Sequence, residues 1–200
     1  MAYVLGFLAA DGNVASKENS ISIQLQKSDE QLLKDIKEIT ESSRPLDYYI
    51  TNAGHDTVKF QVWSAEWKKD LAIYNIVPNK TYILQPPSFL AEKYYIDYIR
   101  GYFDGDGSVS HRIDNIKHCS FEIIGMSEPV IEWIKDVLIQ QYGIFSTSGV
   151  TSRYTENNKK VYKIGYYTID KLQKIYNALY YDNNCLCLQR KKEKFETILK

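Results

Sequence analysis

The sequence predicts an α+β fold of two αββαββα repeats, each carrying a four-stranded antiparallel sheet, related by a pseudo-twofold axis and paired through their first helices. Three observations predict it. A segment recurs: Tyr3-Val-Leu-Gly-Phe-Leu-Ala-Ala-Asp-Gly-Asn-Val-Ala-Ser16 returns as Tyr98-Ile-Arg-Gly-Tyr-Phe-Asp-Gly-Asp-Gly-Ser-Val-Ser-His111, and duplication of this kind marks a repeated structural unit. Each copy is followed by runs of period two and then by a run of helical period. Small residues also recur on one face of each first helix, Gly6 with Ala10 and Gly101 with Gly105.

The elements follow in order. After the first helix, Ser20-Ile-Ser-Ile-Gln-Leu-Gln26 alternates, so Ile21, Ile23 and Leu25 face inward and Ser20, Ser22, Gln24 and Gln26 outward. Leu32, Leu33, Ile36 and Ile39 then define the apolar face of a second helix. The turn Asn52-Ala-Gly-His-Asp56 leads into Thr57–Val62, where Lys59 and Gln61 oppose Val58, Phe60 and Val62. Gln85-Pro-Pro-Ser88 punctuates the chain, giving repeats over 1–84 and 94–200 with a linker at 85–93. In the second repeat Phe121-Glu-Ile-Ile precedes a helix through Val130, Ile131, Ile134 and Val137. Strands around Val150–Tyr154 and Val161–Thr168 flank a turn at Thr155–Lys159. A serine followed by an acid, Ser28-Asp29 and Ser127-Glu128, stands where a cap for each second helix is expected.

Composition narrows the function classes. No apolar run approaches the ~18 residues that span a bilayer, and no basic-then-apolar leader opens the chain, which predicts a soluble, intracellular protein with no membrane partner. Cys119, Cys185 and Cys187 lack the C-x₂₋₄-C spacing of zinc sites, even with His111 or His118 added, and read as reduced thiols. With 25 Lys and Arg against 25 Asp and Glu, the formal charge is zero. Nucleic-acid binders are commonly basic, so any phosphate contact here depends on local charge. Residues 159–200 supply it, with 10 basic against 4 acidic side chains.

The first helices carry the chemistry. A glycine inside a helix costs about 1 kcal/mol relative to alanine, and close packing of the two helices through Gly6, Ala10, Gly101 and Gly105 offsets it. Each helix ends in Asp-Gly, at Asp11-Gly12 and Asp106-Gly107. Helix C-termini carry about −0.5 charge, which repels an acid. Two such acids side by side call for a cation, and carboxylates with backbone carbonyls are the oxygen ligands Mg²⁺ prefers. Asp104 has no counterpart, since Ala9 stands in its place, and reads as a packing or capping acid.

At these residues the sequence resembles a LAGLIDADG homing endonuclease in its single-chain, two-motif form. Val4–Gly12 and Ile99–Gly107 align with the family motif without gaps. The resemblance implies two sheets forming a saddle over double-stranded DNA, with metal held by Asp11 and Asp106 and by the carbonyls of Ala10 and Gly105. It implies metal-dependent phosphodiester hydrolysis, giving a staggered double-strand break with short 3′ overhangs. The ion is expected to be Mg²⁺, with Mn²⁺ suited to the same oxygens and Ca²⁺ a substitute in a structure. A basic residue near each scissile phosphate maps by position to Lys80 and Lys191, with Arg190 a close rival. The polar strand faces then become DNA-contacting surfaces, through Ser20, Ser22, Gln24, Gln26, Arg44, Lys59, Gln61, Arg153 and Lys163. Because these faces differ between repeats, the target is expected to be long and asymmetric and the protein a monomer. Asp29 and Glu128 are helix caps or, as in the family, groups ordering water near the metals.

The chain opens almost on the first motif, so the short N-terminal arm of many members is expected to be missing or trimmed, and without the His-Asn ending of an intein a free-standing enzyme is expected. An intron RNA maturase or a non-catalytic DNA-binding regulator on the same fold is the alternative. The presence of both motif acids favours the nuclease.

Overall fold

Helix α1 (Ala2–Asp11) has no polar side, and Tyr3 through Ala9 are all buried, as a helix apolar all round must be. Its partner is α4 (Tyr95–Asp106), buried at Ile96 and from Tyr98 to Asp104. The two cross at their small residues. A Cβ on Gly6 would overlap the carbonyl oxygen of Tyr98, and one on Gly101 that of Tyr3. Backbone therefore meets backbone, which only glycine permits. This computed structural model describes residues 1–112 and 115–200, with side chains outside 112–118.

Each of these helices feeds a sheet. The first repeat continues through β1 (Asn13–Val14), β2 (Ser20–Gln26), α2 (Glu30–Ile39), β3 (Asp47–Ile50), β4 (Asp56–Trp63) and α3 (Ala65–Ile73). The second runs through β5 (Gly107–Arg112), β6 (Asn115–Gly125), α5 (Glu128–Tyr142), β7 (Val150–Tyr154), β8 (Lys160–Tyr166), α6 (Ile169–Leu179) and α7 (Gln189–Leu199). The strand orders are β1-β2-β4-β3 and β5-β6-β8-β7, all antiparallel. The two sheets thus share one topology, as the duplicated sequence predicts.

The inner sheet faces close the core. Ile21, Ile23, Val58 and Phe60 pack beneath Leu32, Leu33 and Ile36 in one repeat. Phe121, Ile123, Ile164 and Tyr166 pack beneath Ile131, Ile134, Leu138, Leu172 and Ile175 in the other. Ile39, expected on the apolar face of α2, is instead exposed, because the helix ends there and its last turn leaves the core.

Two further expectations change. The Ser-acid pairs do not cap their helices by side-chain hydrogen bonds. Ser127 Oγ donates instead to the carbonyl of Leu84, tying the second repeat to the end of the first. Asp29 is buried and accepts from Gln26 Nε2 at 3.1 Å and from Arg190 Nε at 2.8 Å, another bond between repeats.

The second repeat also adds a helix, α7, where the first has only a 3-10 turn at Lys80–Tyr82. Phe195 drives that addition. It is fully buried, with its ring 5.6 to 6.3 Å from those of Phe103, Phe121, Tyr176 and Tyr180. Phe195→Ala is expected to cost roughly 3–5 kcal/mol, read as a lower denaturant midpoint. A loss below about 1 kcal/mol would mean that α7 is not part of the core.

Candidate metal centre and nucleic-acid interface

The packing of α1 on α4 brings Asp11 and Asp106 together. An added Cβ at Gly105 would stand 3.3 Å from the Asp11 Cβ, so the two helix ends abut. Gly12 and Gly107 end the helices with extended backbone, φ −76° and −96°, rather than in a left-handed turn. Their lack of a side chain matters for space, since a Cβ on either would strike Leu8 or Phe103 in the preceding turn.

The acids are held in unfavourable surroundings. Burial, then the charge of Asp11, pushes the Asp106 carboxyl up to about 6. Asp11 is raised too, chiefly by burial. Among the described residues neither makes an ion pair within 4.0 Å.

Two buried lysines stand beside them. Lys80 Nζ donates to the Gly12 carbonyl. Lys191 Nζ donates to the carbonyls of Phe103 (2.7 Å), Asp104 (2.8 Å) and Gly107 (2.6 Å). Each ammonium therefore sits at the negative end of a motif helix, where a cation is favoured. Burial lowers both lysines, Lys191 to about 8, while Asp11 and Asp106 oppose that shift. The carbonyls of Ala10 and Gly105 belong to the same final turns, where a helix leaves carbonyls without intrahelical partners. Arg190 points elsewhere, to Asp29.

The outer sheet faces are polar but uneven. Gln24 and Gln26 are exposed, and Gln24 lies beside Lys59 and then Asp47 in one cross-strand row. Ser20 and Ser22 are buried, and Ser20 Oγ accepts from Gln61 Nε2 at 2.5 Å. Neither serine meets solvent, and Ser20 supports the Gln61 amide. Arg44 stacks over the exposed Trp63 ring, 5.2 Å from its centre. Arg153 is exposed. Lys163 is paired with Glu122 at 2.8 Å, and Tyr167 donates to the same carboxylate oxygen.

The three thiols remain free, Cys119 buried and the others partly so. No cluster of three or more His, Cys, Asp or Glu able to hold a metal occurs among the described residues; the His118 side chain lies outside them.

A profile of the LAGLIDADG-like domain matches residues 1–44 and 93–180. This chain belongs to the LAGLIDADG-like domain family. Its fold is similar to that of full-length DUF199/WhiA from Thermatoga maritima, at TM-score 0.63 and 17% identity, over 99% of this chain and 58% of that one. The LAGLIDADG-like chain thus spans just over half of that protein. It is similar also to the homing endonuclease I-WcaI bound to its DNA recognition sequence, at TM-score 0.61 and 12% identity, over 97% and 84% of the two chains. I-DmoI in complex with DNA and Mn matches at TM-score 0.56 and 13% identity, over 90% and 95%. At such identities the likeness is one of fold. No protein with a curated description matches the sequence.

One polar residue of this LAGLIDADG-like chain, Glu122, escaped the sequence reading. Glu122 alternates with Phe121 and Ile123 on β6, so its place on the outer face was available from periodicity. Asp104, expected as a packing or capping acid, is buried and accepts from the Leu188 N–H at the start of α7.

Proposed function

We propose that this chain is a site-specific, metal-dependent DNA endonuclease acting as a monomer. The observation that carries the reading is the pair of carboxylates at abutting helix ends, unneutralised by any described ion pair and flanked by two buried ammonium groups. Two acids that reach solvent yet are shifted upward by desolvation, Asp106 also by the charge of Asp11, fit a divalent cation, whose charge favours the ionised carboxylates. With two carboxylates here among the described residues, the remaining ligands would be oxygens of Ala10, Gly105, water and the DNA backbone, which suits Mg²⁺ or Mn²⁺. A bound metal would lower the pKa of a water and stabilise the leaving oxygen of a phosphodiester.

The chain's own groups supply the rest. Asp11 and Asp106 hold the ions. Lys80 and Lys191 fix the carbonyl ends of α1 and α4 and bring positive charge toward each scissile phosphate. Gln24, Gln26, Lys59, Gln61, Arg44 and Arg153 are positioned to read base edges or hold phosphates. Lys163 would act together with Glu122, as a pair. The unequal faces predict an asymmetric target, and cutting of both strands would leave a staggered break with short 3′ overhangs.

The test is incubation with a randomised duplex library in Mg²⁺, sequencing of cut ends, and parallel runs with Asp11→Asn and Asp106→Asn. Metal-dependent cutting at one long site is expected, with double-strand breaks lost in either variant while DNA binding survives. No cutting by the unsubstituted protein would sink the nuclease reading. Tight binding of a structured intron RNA in its place would favour a maturase, and binding of duplex DNA alone a non-catalytic regulator.

A further inference from the structure

The two halves of the centre are built differently, and the difference traces to Asp104. In the first motif Ala9 occupies its position. Asp104 is 1% exposed, and a buried carboxylate is costly unless it is well partnered. Its Oδ2 accepts from Tyr3 OH at 2.7 Å and from the Leu188 backbone N–H at 2.7 Å. Tyr3 belongs to α1 of the opposite repeat. Leu188 is the residue that opens α7.

From Leu188 the chain turns directly to Lys191, whose backbone N–H donates to the Leu188 carbonyl at 2.9 Å. Lys191 Nζ then returns to the carbonyl of Asp104 itself and to those of Phe103 and Gly107. A closed circuit results. The Asp104 side chain holds the start of α7, and the Asp104 carbonyl receives the lysine that α7 carries. Both ends of the circuit stand on the last turns of α4, which present Asp106.

The first half has no such circuit. Lys80 comes from a three-residue 3-10 turn, entered through Asn79 at φ 57°, and donates to the single carbonyl of Gly12. Nothing at Ala9 reaches that turn through a side-chain hydrogen bond, since alanine has none to offer.

We propose that Asp104 is a positioning residue that fixes Lys191 beside Asp106 and thereby sets the cutting rate of one DNA strand only. The proposal rests on the nuclease reading for its strand effect, but the placement of Lys191 can be tested without DNA. Misplacing a reacting group by about 1 Å costs up to about 100-fold in rate, and the first half, lacking Asp104, is untouched by its loss.

The experiment labels each strand of the cleaved duplex separately and compares the unsubstituted protein with Asp104→Ala, Asp104→Asn, Lys191→Met and the double variant Asp104→Ala/Lys191→Met. In Asp104→Ala one strand is expected to be cut roughly 10–100-fold more slowly, so that nicked duplex accumulates. It should be the same strand slowed by Lys191→Met, and the double variant should add little. Asp104→Asn keeps an oxygen that accepts from Tyr3 and Leu188, and is expected to restore most of the rate lost in Asp104→Ala. In parallel, NMR of the metal-free protein reads the lysine ammonium groups. The Lys191 ammonium, held by three carbonyls, is expected to exchange slowly in the unsubstituted protein and in Asp104→Asn but not in Asp104→Ala.

Equal slowing of both strands, or an unchanged Lys191 ammonium signal in Asp104→Ala, overturns the proposal. If the unsubstituted protein cuts no DNA, the nuclease reading fails by itself. The ammonium signal still decides the placement of Lys191.

Discussion

Gly101→Ala is expected to destabilise the fold by roughly 3 kcal/mol or more, at the upper end of overpacking. The added methyl would fall inside the carbonyl oxygen of Tyr3 and close to the amide nitrogen of Phe7. These are main-chain atoms of α1 and cannot swing aside as a side chain can. The helices must separate, and with them Asp11 from Asp106. In a chain of 200 residues each kcal/mol moves the melting temperature by about 2–4 °C, so a fall of about 6–12 °C is expected. Gly54→Ala is the control. Gly54 has φ +81° but no atom within 4 Å of an added Cβ, so only the left-handed backbone penalty of about 1–2 kcal/mol applies. Equal melting of the two variants would mean that α1 and α4 do not meet backbone to backbone.

Asp106→Asn is expected to stabilise the metal-free protein while abolishing double-strand cutting. In the folded chain the Asp106 carboxyl keeps its proton to about 6, against an ordinary value of 3.8. Folded protein therefore binds more protons than unfolded protein between these values, and stability falls as pH rises through that window. Above it a cost remains, well below the roughly 3 kcal/mol that a shift of about two units would carry in full, because the Asp106 side chain is exposed and solvent screens its charge. Asparagine cannot ionise, so the variant escapes that cost. At pH near 7.5 Asp106→Asn should melt several degrees above the parent, and the difference should vanish below pH about 4. Mg²⁺ should raise the melting temperature of the parent, by binding the folded state alone, and do much less for the variant. A variant less stable than the parent at neutral pH would show that neither desolvation nor the Asp11 charge disfavours the ionised Asp106 carboxylate.

The parts of the fold legible in the sequence were those encoded locally and written twice. The recurrence of Gly6 at Gly101 and of Asp11 at Asp106 located the paired helices, and period two in Ser20–Gln26 located a strand with its inner face. Alternation could not say that Ser20 and Ser22 would be covered. For Ser20 that depends on Gln61, a residue of β4 whose amide reaches it across the sheet. Nor could spacing reveal α7 as an addition to the second repeat, because its apolar anchors Phe195 and Ile198 bury against residues far away in the chain. Asp29 shows the same limit. Its position before α2 fits a cap, yet the fold supplies Arg190 and Gln26 as its partners. At the centre, the two acids followed from the repeat, whereas the unequal holding of Lys80 and Lys191 arises from three-dimensional contacts alone.

The contact of α1 with α4 also bears on how the two halves find each other. Each half alone would expose a large apolar helix surface, since Val4, Phe7 and Leu8 on one and Ile99 and Phe103 on the other are fully buried. The segment at Gln85–Ser88 has no regular structure, and as a short tether it would keep the two apolar surfaces at millimolar effective concentration. It makes their meeting an intramolecular event, faster than collision with another chain. The linker works as a local concentrator, and its length trades correct self-closure against exchange of halves between molecules.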